Sequence, residues 1–251
     1  MAPRVSVVTG GSSGIGAAIA LGLARRGDDV GLISRRPDAL EAVAAEIRKI
    51  GGNARVAPTD VSNGPAVRTA IGQIADEFGP IDLLIASAGV AERNPADDFS
   101  GDRLARIFAV NVLGAAYAFQ AVLPSMIERG QGRIVGISSL AGFRAAMPGH
   151  SAYAASKAAL STLLEGLRLE LRPRGVGVTA VHPGFVDTPM TAGGGFRPGM
   201  IGADRAAGII LLGIERGRDR IDFPRRAALL MQILRACPDP IHRRIVDGIW
   251  G

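Results

Sequence analysis

The sequence predicts an α/β fold: a doubly wound parallel sheet with helices on both faces, in a single domain spanning 1–251. Three observations predict it. Short apolar runs alternate with longer helical patterns along most of the chain. A glycine-rich turn stands between the first apolar run and the first helical pattern. The 251 residues, 47% of them hydrophobic, supply a sizeable core at a length where such folds run undivided.

In order, the apolar runs at 5–9, 29–34, 54–59, 81–87, 132–138 and 176–182 read as strands. The stretches 15–26, 39–50, 66–78, 104–128, 153–171 and 205–216 read as helices. Strands of a parallel sheet covered on both faces are continuously apolar, as in Val5-Ser6-Val7-Val8 and Asp82-Leu83-Leu84-Ile85-Ala86. Right-handed crossovers then put ligands at the carboxyl ends of the strands. Asp28 and Asp29 read as turn residues before the second strand. The irregular stretch 189–202, with Gly193-Gly194-Gly195, Pro198 and Gly199, reads as a mobile lid or a plain long connection. The lid is the preferred reading, with a substrate loop at about 188–204.

Composition excludes several classes. Aromatic residues are 4%, too few for a base-stacking nucleic-acid surface. The net charge is +6, but eight arginines and four aspartates beyond residue 215 put most of that excess in the tail. That is no nucleic-acid-binding face; a phosphorylated cofactor suits local basic patches better. The single cysteine, Cys237, rules out an intramolecular disulfide and fits a reducing, cytoplasmic location. No His/Asp/Glu cluster suggests a metal. No signal peptide is visible before the first strand, and no apolar run reaches the length of a membrane span.

The turn Thr9-Gly10-Gly11-Ser12-Ser13-Gly14-Ile15-Gly16 follows a strand and opens a helix. Glycines there let the backbone approach a pyrophosphate and offer it amide donors; the alternative is tight strand–helix packing. Its spacing is G-x-x-x-G-x-G, not the usual G-x-G-x-x-G. At the end of the second strand, Ser34, Arg35 and Arg36 stand where an NAD site places an acid. An arginine suits a 2′-phosphate by charge and forked geometry, so NADP(H) is expected over NAD(H). Arg36 reads equally as a solvated residue opening the next helix.

Only two tyrosines and two lysines occur, and Tyr153 and Lys157 lie four apart. On a helix they share a face. An ammonium there favours phenolate and lowers the tyrosine pKa, giving an acid/base usable near neutral pH. A surface helix with a solvated lysine accounts for the pair as well. Ser138 and Ser139 end the preceding strand, where a hydroxyl can hold a carbonyl oxygen.

Together with Asp60-Val61, Ala88-Gly89, Asn111 and Pro183-Gly184, these motifs resemble the short-chain dehydrogenase/reductase family over about residues 4–222. The resemblance implies a Rossmann-like sheet of about seven strands and often a homodimer or homotetramer packed through the helices at 104–128 and 153–171. It implies Tyr153 as acid/base, Lys157 lowering its pKa and binding the nicotinamide ribose, Ser139 orienting the carbonyl, and Asn111 holding a water in a proton relay. It assigns Asp60 and Val61 to adenine, Ala88 and Gly89 to the adenine-side ribose, Pro183, Gly184 and Val186 to nicotinamide, and Thr188 to its carboxamide. Two departures stand out. Ala86-Ser87-Ala88-Gly89 lacks an asparagine pair common in the family, which is expected to weaken a strand-to-strand hydrogen bond. The interval from Ser139 to Tyr153 is one residue longer than is common in the family, which is expected to swell the loop at 144–149.

The expected activity is reversible NADPH-dependent reduction of a hydrophobic ketone or aldehyde, walled by Leu140, Phe143, Met147, Phe185, Met190 and the 196–201 loop. A non-catalytic dinucleotide sensor or scaffold is the competing class. His150 borders the substrate but reads mainly as a cap or surface residue, and His182 reads as structural. The tail at 223–251 alternates Leu229, Leu230, Ile233 and Trp250 with arginines. It fits packing on the pocket or on another subunit, with an anionic membrane surface the lesser reading.

Overall fold

The computed structural model describes residues 3–192 and 199–250. The central strands are continuously apolar because both of their faces are covered. β1 (Val5–Thr9), β2 (Asp29–Ser34), β3 (Ala54–Pro58), β4 (Leu83–Ala86), β5 (Arg133–Ile137) and β6 (Gly177–Pro183) form where the apolar runs predict them. The short β7 (Val186–Asp187) and β8 (Ile201–Gly202) make a separate parallel ladder, and β9 (Arg220–Phe223) joins the main sheet. The seven-stranded sheet runs β3-β2-β1-β4-β5-β6-β9, every pair parallel.

The helices are α1 (Gly14–Ala24), α2 (Pro37–Lys49), α3 (Gly64–Phe78), α4 (Gly101–Phe108), α5 (Gly114–Arg129), α6 (Ser151–Leu171), α7 (Ala203–Glu215), α8 (Arg225–Ala236) and α9 (Asp239–Trp250). They cover both faces of the sheet. One core gathers Ile74, Phe119 and Leu164 from α3, α5 and α6. The other gathers Ile19, Leu40, Ile47 and Ile210 from α1, α2 and α7.

Four expectations need correction. The strand at 220–223 is absent from the apolar runs because it lies at the sheet edge: Ile221 and Phe223 are buried while Arg220 is exposed. The helix expected over 104–128 is α4 and α5 joined by a π turn, Ala109–Leu113, where the Gly114 amide donates to the Ala109 carbonyl. Asp28 is no turn ornament. It is 5% exposed and accepts hydrogen bonds from Ser6 Oγ at 2.5 Å and Arg4 Nε at 2.9 Å.

The fourth concerns hydropathy. Gly101–Arg129 is long and apolar enough to cross a membrane by length and composition, with a window of mean hydropathy 1.6. Arg103, Arg106 and other polar residues interrupt it, so it holds no continuous apolar run of that length. Within the fold, α5 lies against α3 and β4 and the π turn against α6, and 39% of that window is buried.

In the tail, α8 packs on β9 and on the turn after β5, burying Ala228 and Leu234. Arg144 ties it down, donating to the carbonyls of Leu234 at 2.8 Å and Cys237 and pairing with Asp239. Leu229, Leu230 and Ile233 stay exposed. The residues 193–198, which carry the triple glycine, Phe196 and Pro198, and the side chain of Trp250 lie outside the described residues.

Phe119, 2% exposed, anchors α5 in the core. Phe119→Ala is expected to cost about 3–5 kcal/mol of unfolding free energy, read as a lower urea midpoint at unchanged slope. A loss below about 1 kcal/mol, ordinary for a surface substitution, contradicts the packing.

Candidate active site

The strand order reverses between β1 and β4, so the chain leaves their carboxyl ends in opposite directions and a crevice opens there. It is a cleft of about 570 Å³. Every residue nominated for cofactor binding lines it: Gly10 and Ser12–Gly16 of the first turn, Ser34–Arg36, Asp60 and Val61, Ala88 and Gly89, Tyr153 and Lys157, then Pro183, Gly184, Val186 and Thr188. Of the four catalytic nominees, Ser139, Tyr153 and Lys157 line it as well.

The glycines of the first turn answer to close approach. A Cβ on Gly16 would lie 2.3 Å from the Gly10 carbonyl oxygen, and one on Gly10, at φ 69°, 2.8 Å from the Ala88 backbone. The turn is thus folded on itself and against the end of β4. Ser13 caps α1 without a side-chain hydrogen bond, which leaves amide donors of the first helical turn for a ligand. These features fit the pyrophosphate of a dinucleotide. Thr9 Oγ1 accepts from the backbone amides of Ser87 at 3.2 Å and Ala88 at 3.3 Å. These two bonds join the ends of β1 and β4 through backbone donors, whatever side chain stands at 87.

The two arginines after β2 divide the space. Arg36 Nη2 donates to Ser12 Oγ at 3.3 Å and Ser13 Oγ at 3.1 Å, which lays its guanidinium over the glycine turn. Arg35 stands 4.0 Å from Asp60 and is 65% exposed, a loose pairing. The sequence favoured Arg35; the structure puts Arg36 nearer the turn. Asp60 lies below the usual carboxylate range, chiefly because the Ser62 amide donates to it, with the Ser62 hydroxyl and Arg35 adding to the effect against burial.

At the far end of the cleft, β5 delivers Ser139 and α6 delivers Tyr153 and Lys157. The approach is close: a Cβ on Gly136 would lie 2.5 Å from Leu164, and one on Gly142 2.8 Å from the backbone of Lys157 and Ala158. Lys157, 4% exposed, donates from Nζ to the Ile137 carbonyl at 2.8 Å. Burial pushes its pKa down to about 8. Its Nζ lies 5.7 Å from the centre of the Tyr153 ring.

The expected depression of the Tyr153 pKa is not found. The phenol is pushed up by burial, which the Ser139 hydrogen bond opposes only in part. The ammonium is aimed at Ile137 rather than at the phenol, and desolvation wins.

Asn111 is fully buried and stands behind the wall rather than on it. Its Nδ2 donates to the Val90 carbonyl at 3.0 Å and Ser156 Oγ at 2.9 Å, while Oδ1 accepts from the Val90 amide at 2.8 Å. Both amide hydrogens are therefore committed to protein. A Cβ on Gly89 would meet Asn111 Oδ1 at 3.3 Å and Lys157 Nζ at 3.4 Å, so a side chain there would crowd both groups.

Of the expected substrate wall, Met190 lines the cleft; Leu140, Phe143, Met147 and Phe185 do not. Phe143 packs instead on His182, ring centres 4.8 Å apart, and Phe196 lies outside the described residues. Val90, Ala91 and Glu92 line the cleft without having been nominated, and Thr191 of the expected substrate loop lines it too. The first three sit in an irregular stretch after β4 that carries no motif, and only the fold brings it to the site.

A sheet of this order, with a glycine-rich turn at its switch point and Ser139, Tyr153 and Lys157 at the end of the cleft, is that of a dinucleotide-dependent oxidoreductase. The chain belongs to the short-chain dehydrogenase/reductase family, whose short chain dehydrogenase model matches residues 4–194. It is 40% identical over 242 residues to an uncharacterized oxidoreductase of Myxococcus xanthus (strain DK1622), covering 96% of this chain and 95% of the relative. A short-chain dehydrogenase/reductase from Burkholderia phymatum in complex with NAD has a TM-score of 0.85 at 27% identity, covering 92% of each chain. An alcohol dehydrogenase from the archaeon Thermococcus sibiricus complexed with 5-hydroxy-NADP has a TM-score of 0.80 at 27% identity, covering 88% of this chain and 95% of that one. The chain is accordingly an oxidoreductase of the carbonyl/alcohol type, with a fold that binds NAD(P).

The shift of Lys157 from 10.5 to about 8 carries a stability consequence of about 3 kcal/mol. Below about pH 8 both states hold the charge and the native state bears its desolvation. Between about 8 and 10.5 the unfolded state holds more protons, so stability rises with pH. Lys157→Met is therefore expected to raise the Tm near pH 7 and to lose that advantage near pH 10. Equal Tm differences at both pH values, by scanning fluorimetry, contradict the burial cost.

Proposed function

We propose that this protein is an NADPH-dependent carbonyl reductase, reversible as a secondary-alcohol dehydrogenase. The observation that carries the reading is the meeting of Ser139, Tyr153 and Lys157 at one end of a cleft whose other end holds the glycine turn and two arginines. The cofactor supplies the hydride. Tyr153 supplies the proton: its raised pKa keeps the phenol protonated at neutral pH, the form that reduction requires. Ser139 and Tyr153 hydrogen-bond the carbonyl oxygen and stabilise the charge that develops on it. Lys157 spends one hydrogen on Ile137, leaving two donors for the ribose. Asn111 braces the Val90 backbone and α6 behind Lys157, with one acceptor position on Oδ1 left for a relay water.

Arg36 over the turn and the loosely held Arg35 support a 2′-phosphate, hence NADP(H) over NAD(H). Asp60 and Val61 face adenine, Ala88 and Gly89 the adjoining ribose, and Pro183, Gly184, Val186 and Thr188 the nicotinamide. Val90, Ala91 and Met190 favour an apolar substrate. The substrate loop at about 188–204 springs from the β7–β8 ladder, a fixed base for a lid. Exposed Leu113 and Leu169, on the helices through which the family pairs, support a homo-oligomer. The outward apolar face of α8 we assign to a protein contact rather than a membrane. Cys237 as the lone cysteine supports a cytoplasmic location.

The test follows NADPH oxidation over ketones and aldehydes of graded size. Tyr153→Phe is expected to lower kcat/KM by about 10²–10⁴ with NADPH affinity kept; full turnover removes Tyr153 from the mechanism. The Arg35→Ala, Arg36→Ala pair is expected to weaken NADPH at least about tenfold and leave NADH unchanged. An equal effect on both cofactors rejects the phosphate assignment.

A further inference from the structure

Behind the catalytic helix lies a second polar chain that the reaction as proposed leaves unused. His182, in β6, is buried to 4% of its side chain. Its Nδ1 lies 2.8 Å from Asp222 Oδ1 on β9, and its Nε2 3.1 Å from Ser161 Oγ on α6. Ser161 Oγ lies 2.8 Å from the Lys157 carbonyl and 2.8 Å from Ser138 Oγ. Ser138 Oγ lies 2.8 Å from the same carbonyl. A Ser–His–Asp order of this kind invites comparison with a nucleophile and its base. Neither Ser161 nor His182 lines the cleft, however, and the Ser161 hydroxyl meets a backbone carbonyl, so no substrate bond is in reach.

We propose that Asp222 and His182 are positioning residues for the active site, acting through Ser161 and Ser138 to hold the Lys157 backbone against the end of β5. The proposal rests on the carbonyl-reductase reading above.

Proton counting carries it. A carboxylate only accepts, so the proton between Asp222 and His182 sits on Nδ1. Asp222 is held below the usual carboxylate range: burial pushes it up, and the His182 bond and charge with those of Arg220 more than offset this. Two hydroxyl hydrogens then serve three acceptors. With His182 neutral, Nε2 accepts the Ser161 hydrogen, and Ser138 alone bonds the Lys157 carbonyl. With His182 protonated, Nε2–H donates to Ser161 Oγ, and the Ser161 hydrogen turns to Lys157. The ring proton thus decides whether one hydroxyl or two hold that carbonyl.

The lever is short at both ends. Ser138 precedes Ser139 in the chain, and Lys157 and Tyr153 lie one turn apart on α6. Among the described residues, the charged group in contact with His182 is Asp222 of β9, whose carboxylate also pairs with Arg220. Phe143, from the turn after β5, covers its ring, and Arg220 lies 4.7 Å over the Phe143 ring. Gln232 of α8 donates to Asp222 Oδ2 at 3.2 Å, which joins the tail to the same chain.

The experiment compares wild type, Ser161→Ala, Ser161→Thr and Asp222→Asn, with Tyr153→Phe as control. Ser161→Ala is expected to lower kcat about five- to fifty-fold, the order for a sub-ångström misplacement, with NADPH affinity and Tm near wild type. Ser161→Thr, which keeps the hydroxyl, restores the rate. In the free protein, ¹⁵N shifts of the His182 ring report a protonated Nδ1 that Asp222→Asn perturbs. Wild-type kcat in Ser161→Ala overturns the proposal, as does a fall in kcat that Ser161→Thr fails to restore. Should Asp222→Asn not fold, the serine variants decide alone. A wild type inactive on the whole panel, or an active Tyr153→Phe, rejects instead the reductase reading.

Discussion

Lys157 is bound to the end of β5 from both ends of the residue: Nζ donates to the Ile137 carbonyl, and its own carbonyl accepts from the Ser138 hydroxyl. Between those bonds the turn after Ser139 presses Gly142 against the backbone of Lys157, with no room for a Cβ. The closeness of strand and helix brings Ser139, Tyr153 and Lys157 to one end of the cleft. It also desolvates them. The same burial lowers Lys157 toward 8 and raises Tyr153, so the geometry that gathers the pair also sets its protonation states.

The rest of the site follows from topology. The reversal of strand order between β1 and β4 opens the crevice, and the first turn lies at its mouth with amide donors left over from α1. The tail is joined to this centre rather than appended to it. Arg144 holds α8 against the turn after β5, and Gln232 reaches Asp222. Through Gln232, Asp222 and His182, α8 is thus linked by hydrogen bonds to Ser161 of α6.

The apolar runs at β1, β4 and β5 were legible because a strand buried on both faces has one acceptable composition. β9 was not, since an edge strand needs apolar residues only on its inner face. The π turn at Ala109–Leu113 leaves no trace in periodicity, as one extra residue within a helix barely disturbs the pattern. Asp28 reads as a turn residue until Ser6 and Arg4, distant in sequence, are seen to converge on it. His182 looks structural alone and acquires partners only through β9 and α6.

The sequence by itself determined the class of element at most positions, the glycine-rich turn between β1 and α1, and the shared face of Tyr153 and Lys157, because each depends on neighbours within a turn or two of chain. The tertiary structure alone decided the direction of the tyrosine pKa, the arginine that overlies the turn, the place of Asn111 behind the wall, and the partners of His182. Those depend on burial and on contacts between segments 20 to 45 residues apart. Desolvation and long-range hydrogen bonds leave no local pattern in a sequence; they exist only once the chain is packed.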